Sequence, residues 1–82
     1  IIFFKKNKME YTQDQATIDV AASVDNIVIC ETIQAISESD RTEDEVGDLF
    51  RSEGHLKLKM ALPLFVSTLS TDQATRIAAL NL

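Results

Sequence analysis

Three capping boxes divide this chain and predict where its helices begin. In each box a Ser or Thr hydroxyl accepts from a first-turn N–H, and a Gln or Glu three residues later bonds the N–H of the cap residue. The boxes are Thr12–Gln15, Thr42–Glu45 and Ser70–Gln73. Three helix starts within 82 residues leave little chain for other elements. We therefore predict an all-α fold, a small bundle of four to five short helices in a single domain over residues 1–82.

The first helix is predicted to start near Gln13. An apolar stripe with helical period follows it, and we expect that stripe to be the buried face. Its residues are Ile18, Ala21, Ala22, Ile29, Ile33 and Ile36, and the stripe is widened by Val20, Val24, Ile27 and Val28. The run Ser23–Asn26 offers an alternative, in which Asp25 caps a second helix and the segment is broken in two. Both interpretations remain open at this stage.

The second helix is predicted over residues 43–53, with Val46, Leu49 and Phe50 facing the core. Gly54 follows it, and glycine commonly ends a helix because it adopts the left-handed conformation without strain. We therefore predict that this helix stops at Gly54.

Residues 55–60, His-Leu-Lys-Leu-Lys-Met, allow two interpretations. Their strict alternation of polar and apolar side chains is typical of a strand, whereas Leu56, Met60 and Ala61 also suit one face of a helix. Pro63 favours a break just before it and can stand in the first turn of another short helix. The last helix is predicted over residues 71–80.

The first residues, Ile-Ile-Phe-Phe followed by lysines, predict a minor extended segment within residues 1–10. Apolar, β-prone residues of this kind need cover. We expect either an edge strand paired with residues 56–61 or an arm that docks on a neighbouring subunit. The apolar residues precede the basic ones, an order opposite to that of a secretory signal.

Residues capable of chemistry are scarce. His55 is the one histidine and Cys30 the one cysteine, and a metal site would need further ligands at set spacing. Cys30 lies in an apolar run, where a small buried core residue is the expected role. We expect no enzymatic activity, no cofactor and no metal. A single unpaired cysteine suits a reducing, cytoplasmic location, and no apolar run approaches the length of a membrane span.

Residues 31–74 carry a pattern close to a helix-turn-helix unit, with a capped short helix, the turn Arg51–Gly54 and a following basic-apolar segment. The first helix of the unit is marked by Thr42, Glu45, Val46, Gly47 and Phe50, and the second by Leu56, Lys59, Met60 and Leu62. This stretch resembles the helix-turn-helix core of ParB-type partition proteins. The resemblance implies a DNA-binding module, for which the candidate contacts are Arg51, His55, Lys57 and Lys59.

The charge pattern favours a different use. The net charge is −5, and acids concentrate in the middle of the chain, where they repel nucleic acid and attract basic partners. Our first hypothesis is therefore a small acidic interaction or regulatory protein that binds a protein partner or self-associates. Its acidic face would hold Glu38, Asp40, Glu43, Asp44 and Asp48, and its self-association patch Phe3, Phe4, Phe65 and Leu82. The DNA-binding module and a structural subunit of a larger assembly are the alternatives.

Overall fold

A computed structural model of the chain describes residues 10–82. Its regular elements are all helical, which confirms the predicted all-α bundle. Helix α1 spans Gln13–Gln34, α2 spans Glu43–Met60, α3 spans Pro63–Thr68 and α4 spans Thr71–Ala79, with a short 3₁₀ turn at Glu38–Asp40 before α2. Helix α1 is the central element and contacts the three other helices.

The helix starts follow the capping residues. The side chains of Thr12, Thr42 and Ser70 each accept a hydrogen bond of 3.1 Å from the backbone N–H three residues on. The boxes at Thr42 and Ser70 are complete. At Thr12 the second half of the box is replaced, because the Gln15 amide donates instead to Asp19 at 3.0 Å.

Helix α1 is continuous over its 22 residues, so the predicted alternative of a break at Ser23–Asn26 is wrong. Its buried face is also shifted from the predicted stripe. Ile18 is 60% exposed, and Ala21, Ala22 and Val28 are exposed too. The buried residues recur every three or four positions and are Ala16, Val20, Ser23, Ile27, Cys30 and Ile33.

A serine within this face explains the shift. The Ser23 hydroxyl donates to the Asp19 carbonyl at 2.7 Å, so its polarity is satisfied within the helix and the residue can be buried. A hydropathy pattern treats Ser23 as polar and exposed, and so does not identify the buried face of α1 that contains it.

Helix α2 continues through Gly54, contrary to the predicted end there. Neither glycine in the described chain has a positive φ, so Gly54 is an ordinary helical residue and not a left-handed cap. The strand alternative for residues 55–60 is wrong, because these residues form the last turns of α2. A helical segment cannot pair in a sheet, so the expected pairing with residues 1–8 is excluded. Those first residues lie outside the part of the chain that the structure describes. The turn expected at residues 51–54 for a helix-turn-helix unit is also absent, because these residues are inside α2.

The core lies where α1, α2 and α4 meet. It contains Ile27, Cys30, Ile33, Leu49, Leu56, Ile77 and Leu80. Met60, Leu69 and Leu82 pack against it from the edges. Leu62 is extended before Pro63, as expected for a residue preceding proline, and Pro63 occupies the first turn of α3 as predicted.

Candidate functional site

The outer face of α2 carries the largest exposed apolar side chains of the described residues. Phe50 is 70% exposed and Leu58 is 72% exposed. Leu49 and Leu56 are buried. Leu58 lies about 160–180° around the helix from them, and Phe50 about 100–120°. A helix turns by about 100° per residue, so burying Leu49 and Leu56 directs Leu58 and Phe50 away from the core. The predicted inward position of Phe50 is therefore wrong. Val46, also predicted to face the core, is 36% exposed and contributes little to it.

These two side chains border an open groove along α2. The groove has a volume of about 660 Å³ and is floored by small residues, Gly54 and Ala61. Arg51, His55 and Lys57 line its edges. The outer face of α2 is defined here as Gly47, Phe50, Arg51, Gly54, Lys57, Leu58 and Ala61.

The predicted acidic face lies at the start of α2 and in the turn before it. Its members Glu38, Asp40, Glu43, Asp44 and Asp48 are all exposed. Glu43 and Asp44 are in the first helical turn, where carboxylates interact favourably with the positive end of the helix dipole. Asp48 forms an ion pair with Arg51 one turn later. Glu43, Asp44 and Asp48 therefore stabilise α2, which accounts for part of the acidic face without a binding partner.

The predicted basic set divides between two sides of α2. Arg51, His55 and Lys57 are exposed beside the groove. Lys59 instead lies against α1, where its ammonium is 3.0 Å from the Asp19 carboxylate and 5.9 Å from the centre of the Tyr11 ring. Lys59 is thus engaged within the fold and does not extend a basic surface formed by the other three.

Of the predicted self-association patch, the structure describes Phe65 and Leu82. Phe65 is fully buried at 0% exposure, which is a correction to its expected surface position, because α3 is too short to stand without burying its one aromatic residue. Leu82 is half-buried against the core cluster. Phe3 and Phe4 lie outside the described residues.

A second concavity, between the start of α1 and the end of α2, holds a closed polar network. The Asp19 carboxylate accepts from the Tyr11 hydroxyl at 2.7 Å and from the Gln15 amide at 3.0 Å, in addition to its contact with Lys59. The Tyr11 hydroxyl and then Lys59 hold the pKa of Asp19 below its ordinary value. Burial, followed by the bond to Asp19 and its negative charge, raises the pKa of Tyr11 to about 12. Tyr11 therefore stays protonated as a donor, and Asp19 stays charged as an acceptor, so the network stabilises the fold.

We expect Asp19→Asn to lower the free energy of unfolding at neutral pH by about 1–3 kcal/mol, as for a bond between charged partners. Because the folded pKa of Asp19 is lowered, its stabilisation is present above the unfolded pKa and is lost as pH falls through the folded one. The difference between Asp19→Asn and the parent chain should therefore shrink below about pH 4. Urea unfolding at several pH values measures it.

The matched control is Asp25→Asn, at an exposed position of the same helix. This variant should follow the parent chain at every pH to within about 0.5 kcal/mol. Equal losses in the two variants would contradict a specific role for Asp19.

Two further polar contacts tie α4 and α2 to α1. Arg76 donates to both oxygens of Glu31, at 2.8 and 2.6 Å, and this pairing keeps the pKa of Glu31 below its ordinary value. The Gln34 amide donates to Glu53 at 2.8 Å and to the Leu80 carbonyl at 3.1 Å. These groups have partners and serve as links between helices.

Cys30 is a core residue, as predicted. It is fully buried as a free thiol. Burial, with the negative charges of Glu53 and Glu31, raises its pKa to about 11. Because the thiolate is the reactive form, Cys30 is chemically inert near neutral pH.

Within residues 10–82, no three His, Cys, Asp or Glu side chains are grouped so that they could hold a metal ion. In the same part of the chain, no helix combines the length and apolar character needed to cross a membrane.

Comparison of the chain with protein-family models, curated proteins and solved structures finds no match. The resemblance to ParB-type partition proteins stays a prediction. On their own geometry, residues 10–82 form a small all-α domain with large apolar side chains exposed on one face of α2.

Proposed function

We propose that this chain is a non-enzymatic protein-interaction module that binds its partner through the outer face of α2. The observation that carries the proposal is the exposure of Phe50 and Leu58 on either side of the groove. Large apolar side chains exposed together commonly mark protein-binding surfaces, and aromatic residues with a neighbouring Arg are enriched at their centres.

The shape of the face favours a helical partner. Its small residues Gly47, Gly54 and Ala61 recur every seven positions, and its large residues stand beside them. An apolar stripe with this period suits an amphipathic helix laid along it. The exposed acids before and at the start of α2 would border the bound helix and favour a partner with basic residues there.

The charge distribution supports protein binding over DNA binding. A DNA-binding surface gathers Lys and Arg on one face, whereas Lys59 is paired with Asp19 and Arg51 with Asp48. The inert Cys30 thiol gives no support to a catalytic use. A buried free thiol suits a reducing compartment, and we place the protein in the cytoplasm.

The test is site-specific photo-crosslinking in cells that make the protein. With Phe50 replaced by p-benzoylphenylalanine, we expect crosslinks to protein. The same replacement at Ala78, exposed on α4, is the matched control and should crosslink far less. Equal crosslinking at both positions, or crosslinks from position 50 to nucleic acid, would overturn the proposal.

A further inference from the structure

The fold of residues 10–82 does not require the two glycines of α2. Glycine inside a helix is unfavourable, because it loses more backbone freedom than any other residue. Neither Gly47 nor Gly54 has a positive φ. A Cβ at Gly54 would have no neighbour within 4 Å, and one at Gly47 would meet only the Arg51 side chain, at 3.5 Å. Close packing within residues 10–82 therefore does not require either glycine, whereas close approach by another molecule would.

The spacing of large and small residues on this face is self-complementary. In an antiparallel pair of identical helices, a two-fold axis crosses the pair at one point along the helix. Two different residues lie side by side across the axis when they are equally far from that point in opposite directions, so that their midpoint coincides with it. Two pairs of residues have nearly the same midpoint, at residues 52–53. They are Phe50 with Gly54 and Leu58 with Gly47. Each large side chain of one copy would thus meet a glycine of the other, and symmetry would repeat both contacts.

A parallel pair would not have this fit. It would place Phe50 against Phe50 and Leu58 against Leu58, which would hold the helices apart at the glycines. The antiparallel arrangement lets the side chains of one helix enter the spaces of the other, the geometry by which helices pack closely.

The charges along α2 favour the same arrangement. Glu43, Asp44, Glu45 and Asp48 occupy its first half, whereas the exposed basic residues Arg51, His55 and Lys57 occupy its second half. An antiparallel pair sets the acidic half of one copy against the more basic half of the other. The two helix dipoles also oppose each other. A parallel pair would oppose like charges at both ends.

We infer that the partner of the outer face of α2 is a second copy of this chain, in a two-fold dimer whose α2 helices run antiparallel. The inference rests on the proposed interaction function and names its partner. Phe50 of each copy packs over Gly54 of the other, and Leu58 packs over Gly47.

The first experiment is sedimentation velocity of the full chain over a wide range of concentrations. We expect a reversible monomer–dimer equilibrium. Gly54→Leu should leave a monomer throughout, because its side chain fills the space that receives Phe50. Position 54 is open in the monomer, so circular dichroism should show a helical content and melting temperature no lower than those of the parent chain. Ala78→Leu, which adds the same side chain to an exposed position of α4, should dimerise like the parent.

The second experiment tests the direction of the helices by disulfide crosslinking. In the antiparallel pair position 47 of one copy adjoins position 58 of the other, so Gly47→Cys with Leu58→Cys in one chain should form a disulfide-linked dimer on mild oxidation. Leu58→Cys alone should form little, because the two copies of position 58 are then far apart. Ready crosslinking of Leu58→Cys alone would overturn the antiparallel pairing.

A chain that stays monomeric at every concentration would overturn the second copy as partner. If removing residues 1–9 then produces the dimer, the chain's own first segment is the occupant and the inference is equally overturned. Dimerisation of Gly54→Leu as tight as that of the parent would show that another surface is used. In any of these cases crosslinks from position 50 to another protein molecule would leave the proposed function standing, whereas their absence would remove it.

Discussion

Phe65→Ala is expected to lower the free energy of unfolding by about 3–5 kcal/mol, the usual range for truncating a buried aromatic residue. Phe65 is 0% exposed and lies in a six-residue helix, α3, too short to form without tertiary contacts. A domain of this length has a total stability of roughly 4–12 kcal/mol. The substitution should therefore leave the chain partly or wholly unfolded at room temperature, as followed by urea denaturation and circular dichroism.

Phe50→Ala is the matched control for this prediction. The residue type and the substitution are the same, but Phe50 is 70% exposed in the monomer. Its effect on unfolding should stay within about 0.5 kcal/mol at low protein concentration, where association contributes least to stability. A large loss from Phe50→Ala together with a small one from Phe65→Ala would contradict the packing of α3 described above.

Leu56→Ala is expected to destabilise the chain by about 2–5 kcal/mol, whereas Leu58→Ala should change its stability by no more than about 0.5 kcal/mol. Leu56 is 0% exposed and belongs to the core cluster, while Leu58 points outward from the same helix. The measurement is again the free energy of unfolding, at low protein concentration.

This pair of leucines also separates the two interpretations that the sequence allows for residues 55–60. A strand places residues two apart on the same face, so both substitutions would have similar effects. A helix places them about 200° apart, so their effects should differ widely. Equal losses would contradict a helix over this segment.

The outer face of α2 can be predicted from the sequence if the helix is extended past Gly54. Continuing the helical period of Leu49 through Ser52, Leu56 and Met60 collects the inward residues on one side. Phe50, Gly54 and Leu58 are then left on the other. The prediction of a helix end at Gly54 prevented this, because glycine after a helical run is a common terminator and its position alone does not show which conformation it adopts.

Local signals in the sequence determined where the helices begin. A capping bond joins residues three apart, so its formation needs no information from the rest of the chain. The hydroxyls of Thr12, Thr42 and Ser70 cap helices as expected. Pro63 likewise starts α3, since its φ is set by its own ring. The class of fold followed from these few residues.

Tertiary structure decided which faces are buried and how far α2 extends. Burial of Leu56 and Ser52 outweighs the weak helix preference of Gly54, which is worth about 1 kcal/mol relative to Ala. The Asp19–Lys59 contact and the Glu31–Arg76 pair join residues 40 or more positions apart, and no local pattern predicts them. The caps act through bonds within one helical turn, whereas burial and distant pairing depend on how the helices pack together. For this reason the helix starts could be predicted from the sequence, whereas the length of α2 and the pairs between distant residues were decided by the packing of the bundle.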